Sequence, residues 1–200
     1  MFSLLFGLYQ HLTRREEVHI LIVGLDRAGK TTLLERLKAL LAGGPGPDAT
    51  RAVPTVGLNI GRAELGGATV VFWDLGGQSG LRGIWEKYYA EAHALVFVVD
   101  ASDAARFGEA KAALDRALGH RDLVGAPLLV VANKSDAPGA AGAAELKERL
   151  GLGRADARPL DVAPASALLG DGVGAAAAWV VAAARRGRRA EALRRRALAG

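Results

Sequence analysis

The sequence predicts an α/β fold, doubly wound, with a six-stranded, mostly parallel sheet and one antiparallel edge strand. Three observations carry this expectation. Short apolar runs alternate with stretches of helical periodicity along most of the chain. The runs over residues 95–100 and 127–133 are apolar almost throughout, as strands covered on both faces must be. A Gly66-Gly67 pair joins two neighbouring strand patterns, which makes an antiparallel hairpin.

Taken in order, residues 18–23 (Val-His-Ile-Leu-Ile-Val) read as a first buried strand, followed by a glycine turn over 24–29. Residues 30–41 then carry leucines at 33, 34, 37, 40 and 41, which is helical spacing, and Gly43-Gly44-Pro45-Gly46-Pro47 stops that helix. The hairpin takes residues 58–65 and 69–74. Central strands follow at 95–100 and 127–133, with helices expected over 106–118 and 143–150. A short strand at 158–162 and a last helix at 174–186 complete the expectation. There is no internal repeat, and the expected organisation is an N-terminal amphipathic helix at 1–16, one nucleotide-binding domain at 17–187 and a basic C-terminal tail at 188–200.

Composition limits the function. With 200 residues, half of them apolar, the chain suits one domain with a full core. It contains no cysteine, so disulfides, thiolate metal sites and thiol-linked lipids are excluded. The four histidines are scattered without ligand spacing. No apolar run approaches the roughly 20 residues of a membrane-spanning helix, and the first residues do not read as a secretory leader, so a cytosolic protein is expected. The net charge of +5 points at first to an acidic partner, but seven arginines between Arg185 and Arg196 account for it. No aromatic residues accompany that charge, and nucleic acid is not an expected partner.

Four clusters carry the chemistry. Gly24-Leu25-Asp26-Arg27-Ala28-Gly29-Lys30-Thr31-Thr32 matches a phosphate-binding loop between a strand and a helix. Its glycines let backbone amides curl around phosphates, with the helix N-terminus aimed at them. Lys30 is the candidate to neutralise β- and γ-phosphate charge, and the Thr31 hydroxyl is a candidate Mg²⁺ ligand. Trp73-Asp74-Leu75-Gly76-Gly77-Gln78 ends the second hairpin strand. Here Asp74 is expected to hold Mg²⁺ through water, the Gly77 amide to meet the γ-phosphate, and Gln78 to orient the attacking water. In Asn133-Lys134-Ser135-Asp136, Asp136 can accept two hydrogen bonds that guanine offers and adenine does not. Lys134 can lie along the base, and Asn133 can tie this loop to the phosphate loop. Ala165-Ser166-Ala167-Leu168 follows the last strand, where the Ala167 amide is placed to donate to guanine O6. All four clusters follow predicted strands, where ligands of open α/β sheets bind. Asp26 also sets a carboxylate near the γ-phosphate, where it is expected to crowd or repel the attacking water and slow unaided hydrolysis. Arg27 is a candidate built-in arginine finger, or else a side chain facing solvent or the switch.

At these residues the chain resembles the Arf family of small GTPases over nearly its whole length, and within it the Arf-related branch. The resemblance rests on Asp26 in the phosphate loop, Pro54-Thr55-Val56-Gly57-Leu58-Asn59, Trp73 to Gln78, and Trp85-Glu86-Lys87-Tyr88-Tyr89. Phe2 stands where most Arfs carry a myristoylated glycine. The resemblance implies a GTP-hydrolysing switch that needs Mg²⁺, an exchange factor and an activating protein. It implies that Thr55 closes on Mg²⁺ and γ-phosphate in the GTP state, and that Leu58, Trp73 and Tyr88 form an apolar patch read by effectors. It also implies that the hairpin, from about residue 59 to 72, slides in register when GTP replaces GDP and expels the N-terminal helix. Recruitment of effectors to Golgi or trans-Golgi membranes in vesicle trafficking follows from the same resemblance. The rivals are another phosphate-loop enzyme, which would have no use for Asn133 to Asp136, and a GTP-bound scaffold that does not hydrolyse.

Phe2, Leu5, Phe6, Tyr9 and Leu12 share one helical face. That face fits either a switchable helix that meets a membrane surface or a membrane receptor, or one packed permanently on the domain. The arginines near the C-terminus either touch anionic lipid or complement a helix dipole.

Overall fold

In the computed structural model, residues 16–44, 46, 55–153 and 158–199 are described. The apolar N-terminal face from Phe2 to Leu12 lies outside them, as does most of the loop after the first helix. Six strands form one sheet in the order β2-β3-β1-β4-β5-β6: β1 (Glu17–Gly24), β2 (Leu58–Leu65), β3 (Ala68–Leu75), β4 (Ala94–Asp100), β5 (Leu128–Asn133) and β6 (Leu160–Ala165). Only β2 runs antiparallel to its neighbour, with Leu58 opposite Leu75 and Gly61 opposite Phe72. The other pairings are parallel.

Helices cover both faces, as the unbroken apolar strands require. Against one face lie α1 (Lys30–Ala42) and α5 (Val173–Arg186), which bury Leu33, Leu34, Leu37, Val180 and Val181 with Ile20, Ile22, Phe72, Val96, Val98 and Val131. Against the other lie α3 (Phe107–Leu118) and α4 (Ala143–Arg149), whose Leu114 and Leu146 join Leu21, Val23, Leu75, Phe97, Leu128 and Val130. Successive strand residues therefore go to opposite cores, the period of two that a strand imposes.

Three elements depart from the sequence expectation. β6 begins and ends later than expected, because Pro164 sits inside it, and an edge strand tolerates a residue with no amide to give. A single-turn helix, α2 (Glu86–Tyr89), follows a 3₁₀ turn at Ser79–Ile84; both are too short to show periodicity. Residues 188–199 form a further helix, α6 (Arg188–Ala199), set off from α5 by Gly187. It is anchored to the body: Ala190 is fully buried, Arg189 donates to the carbonyls of Ala92 and Tyr89, and Arg194 reaches Glu16.

The arrangement gathers the strand ends. Asp100, Asn133 and Ala165 stand side by side on β4, β5 and β6, and Gly24 pairs with Val98 one strand over.

Candidate nucleotide site

The phosphate loop needs glycine where the backbone turns left-handed and neighbours press close. Gly29 caps α1 with φ of 87°, and a side-chain carbon there would stand 2.3 Å from Asn133 Nδ2. Arg27 also has positive φ, 62°, and is exposed, with no hydrogen bond to the site among the described residues. The loop encloses Lys30, only 6% exposed, whose Nζ donates to the Leu25 carbonyl at 2.7 Å. Burial pushes this ammonium down to about 8, against the pull of Asp74 and Asp26. A cation held so dry inside a ring of backbone suits a polyanion.

Beside it three oxygens meet. The Thr31 hydroxyl donates to Asp74 Oδ2 at 2.6 Å and lies 2.6 Å from the Thr55 hydroxyl, which is 3.5 Å from the same carboxylate oxygen. Asp74 is fully buried, and burial raises its pKa despite the Thr31 hydrogen bond and Lys30. Its Oδ1 has no hydrogen-bond partner among the described residues. Two hydroxyls and a buried carboxylate with a spare oxygen are the hard-oxygen donor set that Mg²⁺ takes.

Gly76 and Gly77 lie buried against this cluster. A side-chain carbon on Gly77 would come within 2.4 Å of the Asp26 amide and the Gly24 carbonyl, so only glycine lets this loop touch the phosphate loop. The Gly76 carbonyl accepts from buried Trp85 Nε1 at 2.9 Å, and the Gly77 carbonyl from Arg82 Nε at 2.9 Å. Gln78 comes next and is exposed.

At the ends of β5 and β6 one residue ties three loops together. Buried Asn133 donates from Nδ2 to the Ala28 carbonyl at 2.8 Å and accepts at Oδ1 from the Ala167 amide at 3.0 Å. Ser135 N reaches the Ala165 carbonyl, and buried Ser166 accepts from Leu169 N at its Oγ. Lys134, at φ 62°, pairs with Asp100. Burial works against the Asp100 carboxylate, yet hydrogen bonds from Lys134 and Ser102 hold its pKa below the usual range. Asp136 is exposed at the rim, and Thr32 sits half-buried in the first turn of α1.

The structure also brings in residues that sequence reading missed. Arg106, at the start of α3, donates to the Asp26 carboxylate at 2.7 Å and to the Asp26 carbonyl at 2.9 Å. Arg106 thereby holds the Asp26 carboxyl below its usual range. The side chain expected to stand against the attacking water is therefore committed to an arginine 80 residues away. Of the apolar patch, Trp73 and Tyr88 meet with ring centroids 5.3 Å apart, and Leu58 is half-buried at the start of β2. His19, also missed, lies 4.4 Å from the Trp73 ring on its other contact. Alternation alone placed His19 on β1 with no sign of this partner.

A glycine loop holding a buried lysine, beside an oxygen cluster and a three-loop asparagine clasp, defines a phosphate-loop nucleotide-binding switch. Comparison with known proteins carries this to a family. The ADP-ribosylation factor family matches residues 5–184. ADP-ribosylation factor-related protein 1 of Homo sapiens is 40% identical over 187 residues, covering 90% of this chain and 92% of that protein; the Rattus norvegicus protein matches to the same extent. ADP-ribosylation factor-like protein 3 of Saccharomyces cerevisiae is 37% identical over 188 residues, with the same coverage. Among solved structures, the Arl6 BBS3 small GTPase from Trypanosoma brucei, with bound nucleotide analogue GppNp, superposes with a TM-score of 0.73 at 35% identity, covering 85% of this chain and 98% of that one.

The chain belongs to the ADP-ribosylation factor family. It is thus a small GTPase, a GTP-binding switch that hydrolyses GTP and works with regulators and effectors. No helix among the described residues is long and apolar enough to cross a membrane.

Proposed function

We propose that this switch recruits effectors to Golgi or trans-Golgi membranes in vesicle trafficking, with its GTP state set by the site around Lys30 and Asp74. The observation that carries the reading is the meeting of Thr31, Thr55 and Asp74 at 2.6–3.5 Å, which joins the phosphate loop, the segment before β2 and the end of β3. A γ-phosphate bound at Lys30 and at the Gly77 amide draws the same three segments together, so the closed arrangement is coupled to the nucleotide's third phosphate.

In this reading the amides of residues 26–32 and the Lys30 ammonium hold the phosphates. Thr31 and Thr55 would hold Mg²⁺, and Asp74 would hold it through water. Bound there, the ion neutralises charge on the phosphate oxygens. Gln78, exposed beside Gly77, orients the attacking water. Asp136 reads the guanine edge, Lys134 lies along the base, and the Ser166–Ala167 turn supplies the amide for O6. Leu58, Trp73 and Tyr88 report the state to effectors, because they ride on β2, β3 and α2, the elements next to the Thr55 segment and the Gly76-Gly77-Gln78 loop.

The hairpin joins the site to the N-terminus. Its tip carbonyl at Gly66 accepts from Arg185 of α5, and Arg185 also bonds Glu16, the first described residue before β1. A register shift of β2 and β3 on GTP binding therefore acts at the root of the N-terminal segment. Flotation with Golgi-derived membranes, in GDP and in a non-hydrolysable GTP analogue, tests this. Binding should require the analogue and should be lost in Phe2→Ala with Phe6→Ala, while guanine-nucleotide binding persists. Each lost aromatic side chain removes roughly 1.5–3 kcal/mol of burial. Equal flotation in both nucleotides would overturn the proposal.

A further inference from the structure

Beside the phosphate loop, four charged side chains close into a ring. Arg106 bonds the Asp26 carboxylate at 2.7 Å and the Glu109 carboxylate at 3.0 Å. Glu109 uses its other oxygen to accept from Arg82 Nη2 at 2.5 Å, and Arg82 Nη2 lies 4.0 Å from Asp26 Oδ1. Two guanidiniums thus balance two carboxylates. The ring is also tied to backbone, by Arg106 Nη1 on the Asp26 carbonyl and by Arg82 Nε on the Gly77 carbonyl, each at 2.9 Å; the second tie bears on Gln78.

That tie matters because the turn that follows Gln78 is only lightly packed: Leu81 and Ile84 are half-buried, and Ile84 lies against the core. None of the residues of the 3₁₀ turn Ser79–Ile84 is buried. Its start is fixed by polar contacts on successive carbonyls: Trp85 Nε1 on Gly76, Arg82 on Gly77 and the Leu81 amide on Gln78. Of these, Arg82 alone connects the turn to another element, through Glu109 on α3 and Asp26 in the phosphate loop. A guanidinium suits the task, since its donors leave in fixed directions from one plane and can serve Gly77 and Glu109 together.

We propose that Arg82 is a positioning residue for GTP hydrolysis: braced by Glu109 and Asp26, it holds the Gly77 carbonyl, and so the Gln78 backbone, in place against the phosphate loop. The inference rests on the reading that Gln78 orients the attacking water. Arg82 itself neither contacts the water nor stabilises the transferred phosphate. The arginine singled out by its place in the loop, Arg27, is exposed. The arginines that meet beside the loop come from the Gly-Gly-Gln turn and from α3.

Single-turnover GTP hydrolysis, with nucleotide affinities and thermal melts measured alongside, tests the inference. Arg82→Ala should hydrolyse at least about tenfold more slowly, since a misplacement near 1 Å costs about a hundredfold. Its GDP affinity should match the wild type, because Arg106 keeps its own bonds to Asp26 in the phosphate loop. Arg82→Lys should stay slow, as one ammonium cannot reproduce the fork. Glu109→Gln, on the exposed side of α3, should fold normally and fall between wild type and Arg82→Ala. The deciding measurement is the double variant. If Arg82 acts through Gln78, Arg82→Ala adds no further loss to Gln78→Leu. A wild-type rate in Arg82→Ala, full recovery in Arg82→Lys, or a loss that multiplies with that of Gln78→Leu would overturn the role of Arg82. A wild-type rate in Gln78→Leu alone would instead overturn the reading of Gln78.

Discussion

Asn133 is where stability and nucleotide binding can be measured on one side chain. The residue is 1% exposed, and its amide links three loops: Nδ2 donates to the Ala28 carbonyl at 2.8 Å, and Oδ1 accepts from the Ala167 amide at 3.0 Å. Asn133→Ala removes both partners at once. Ala28 and Ala167 are themselves buried, so neither backbone group gains water freely. Leaving a buried donor or acceptor unpaired costs about 1–3 kcal/mol each, so the variant should lose about 2–6 kcal/mol. A domain of this size loses about 2–4 °C of Tm per kcal/mol, so the midpoint should fall by roughly 4–24 °C. Affinity for GDP and GTP should fall together, because the phosphate loop and base loop lose the same clasp. Gly29→Ala should reproduce part of the effect, since its new carbon meets Asn133 Nδ2 at 2.3 Å. Urea unfolding followed by tryptophan fluorescence, with and without saturating GDP, measures both quantities. A loss below about 1 kcal/mol in Asn133→Ala would refute the reasoning, because it would mean that the two backbone groups find partners without the side chain.

Three further outcomes are expected. Asp136→Asn should reverse the donor and acceptor pattern at the base edge and favour xanthine over guanine by as much as roughly 10⁴-fold, read by competition of GTP against XTP; an undiminished guanine preference would show that the loop was misassigned. Thr31→Asn should weaken GTP more than GDP in calorimetric titration with Mg²⁺, because an ion held at Thr31 would offset the added charge of the third phosphate; equal losses would count against Thr31 as a metal ligand. His93, whose Nδ1 accepts from the His19 amide at 3.1 Å, is pushed by burial down to about 4. The unfolded chain therefore binds the proton first, near the ordinary value of 6.5, and stability falls as pH drops from about 6.5 to about 4. Unfolding curves across that window should lose this slope in His93→Gln, and an unchanged slope would count against the buried neutral imidazole.

How far the sequence reaches can be judged residue by residue. Residues 95–100 and 127–133 were legible as strands because a strand covered on both faces has no room for polar side chains. The phosphate loop was legible because its geometry demands particular residues at particular spacings: glycine at 29 for the left-handed cap, and lysine and threonine at the start of α1. The position of the Asn133 to Asp136 loop was legible too, since the apolar strand before it ends at Asn133. Family resemblance added Thr55, which no local pattern marks. By contrast, Pro164 concealed the end of β6, and the arginine-rich run after Gly187 gave no sign of a helix held by Arg189 and Arg194.

What the tertiary structure alone decided is the partnership of charges. Arg82, Arg106 and Glu109 sit on surfaces where a charged residue is compatible with many surroundings, so nothing in their neighbourhood names a partner. Only the crossing of β1 beside β4 brings the start of α3 to Asp26, 80 positions earlier, and only the return of α5 and α6 sets Arg185 and Arg194 on Glu16. Local backbone requirements leave a mark on the sequence because each must be met by the residue itself. A long-range ion pair leaves none, because either member is an ordinary surface residue until the chain folds and supplies the other.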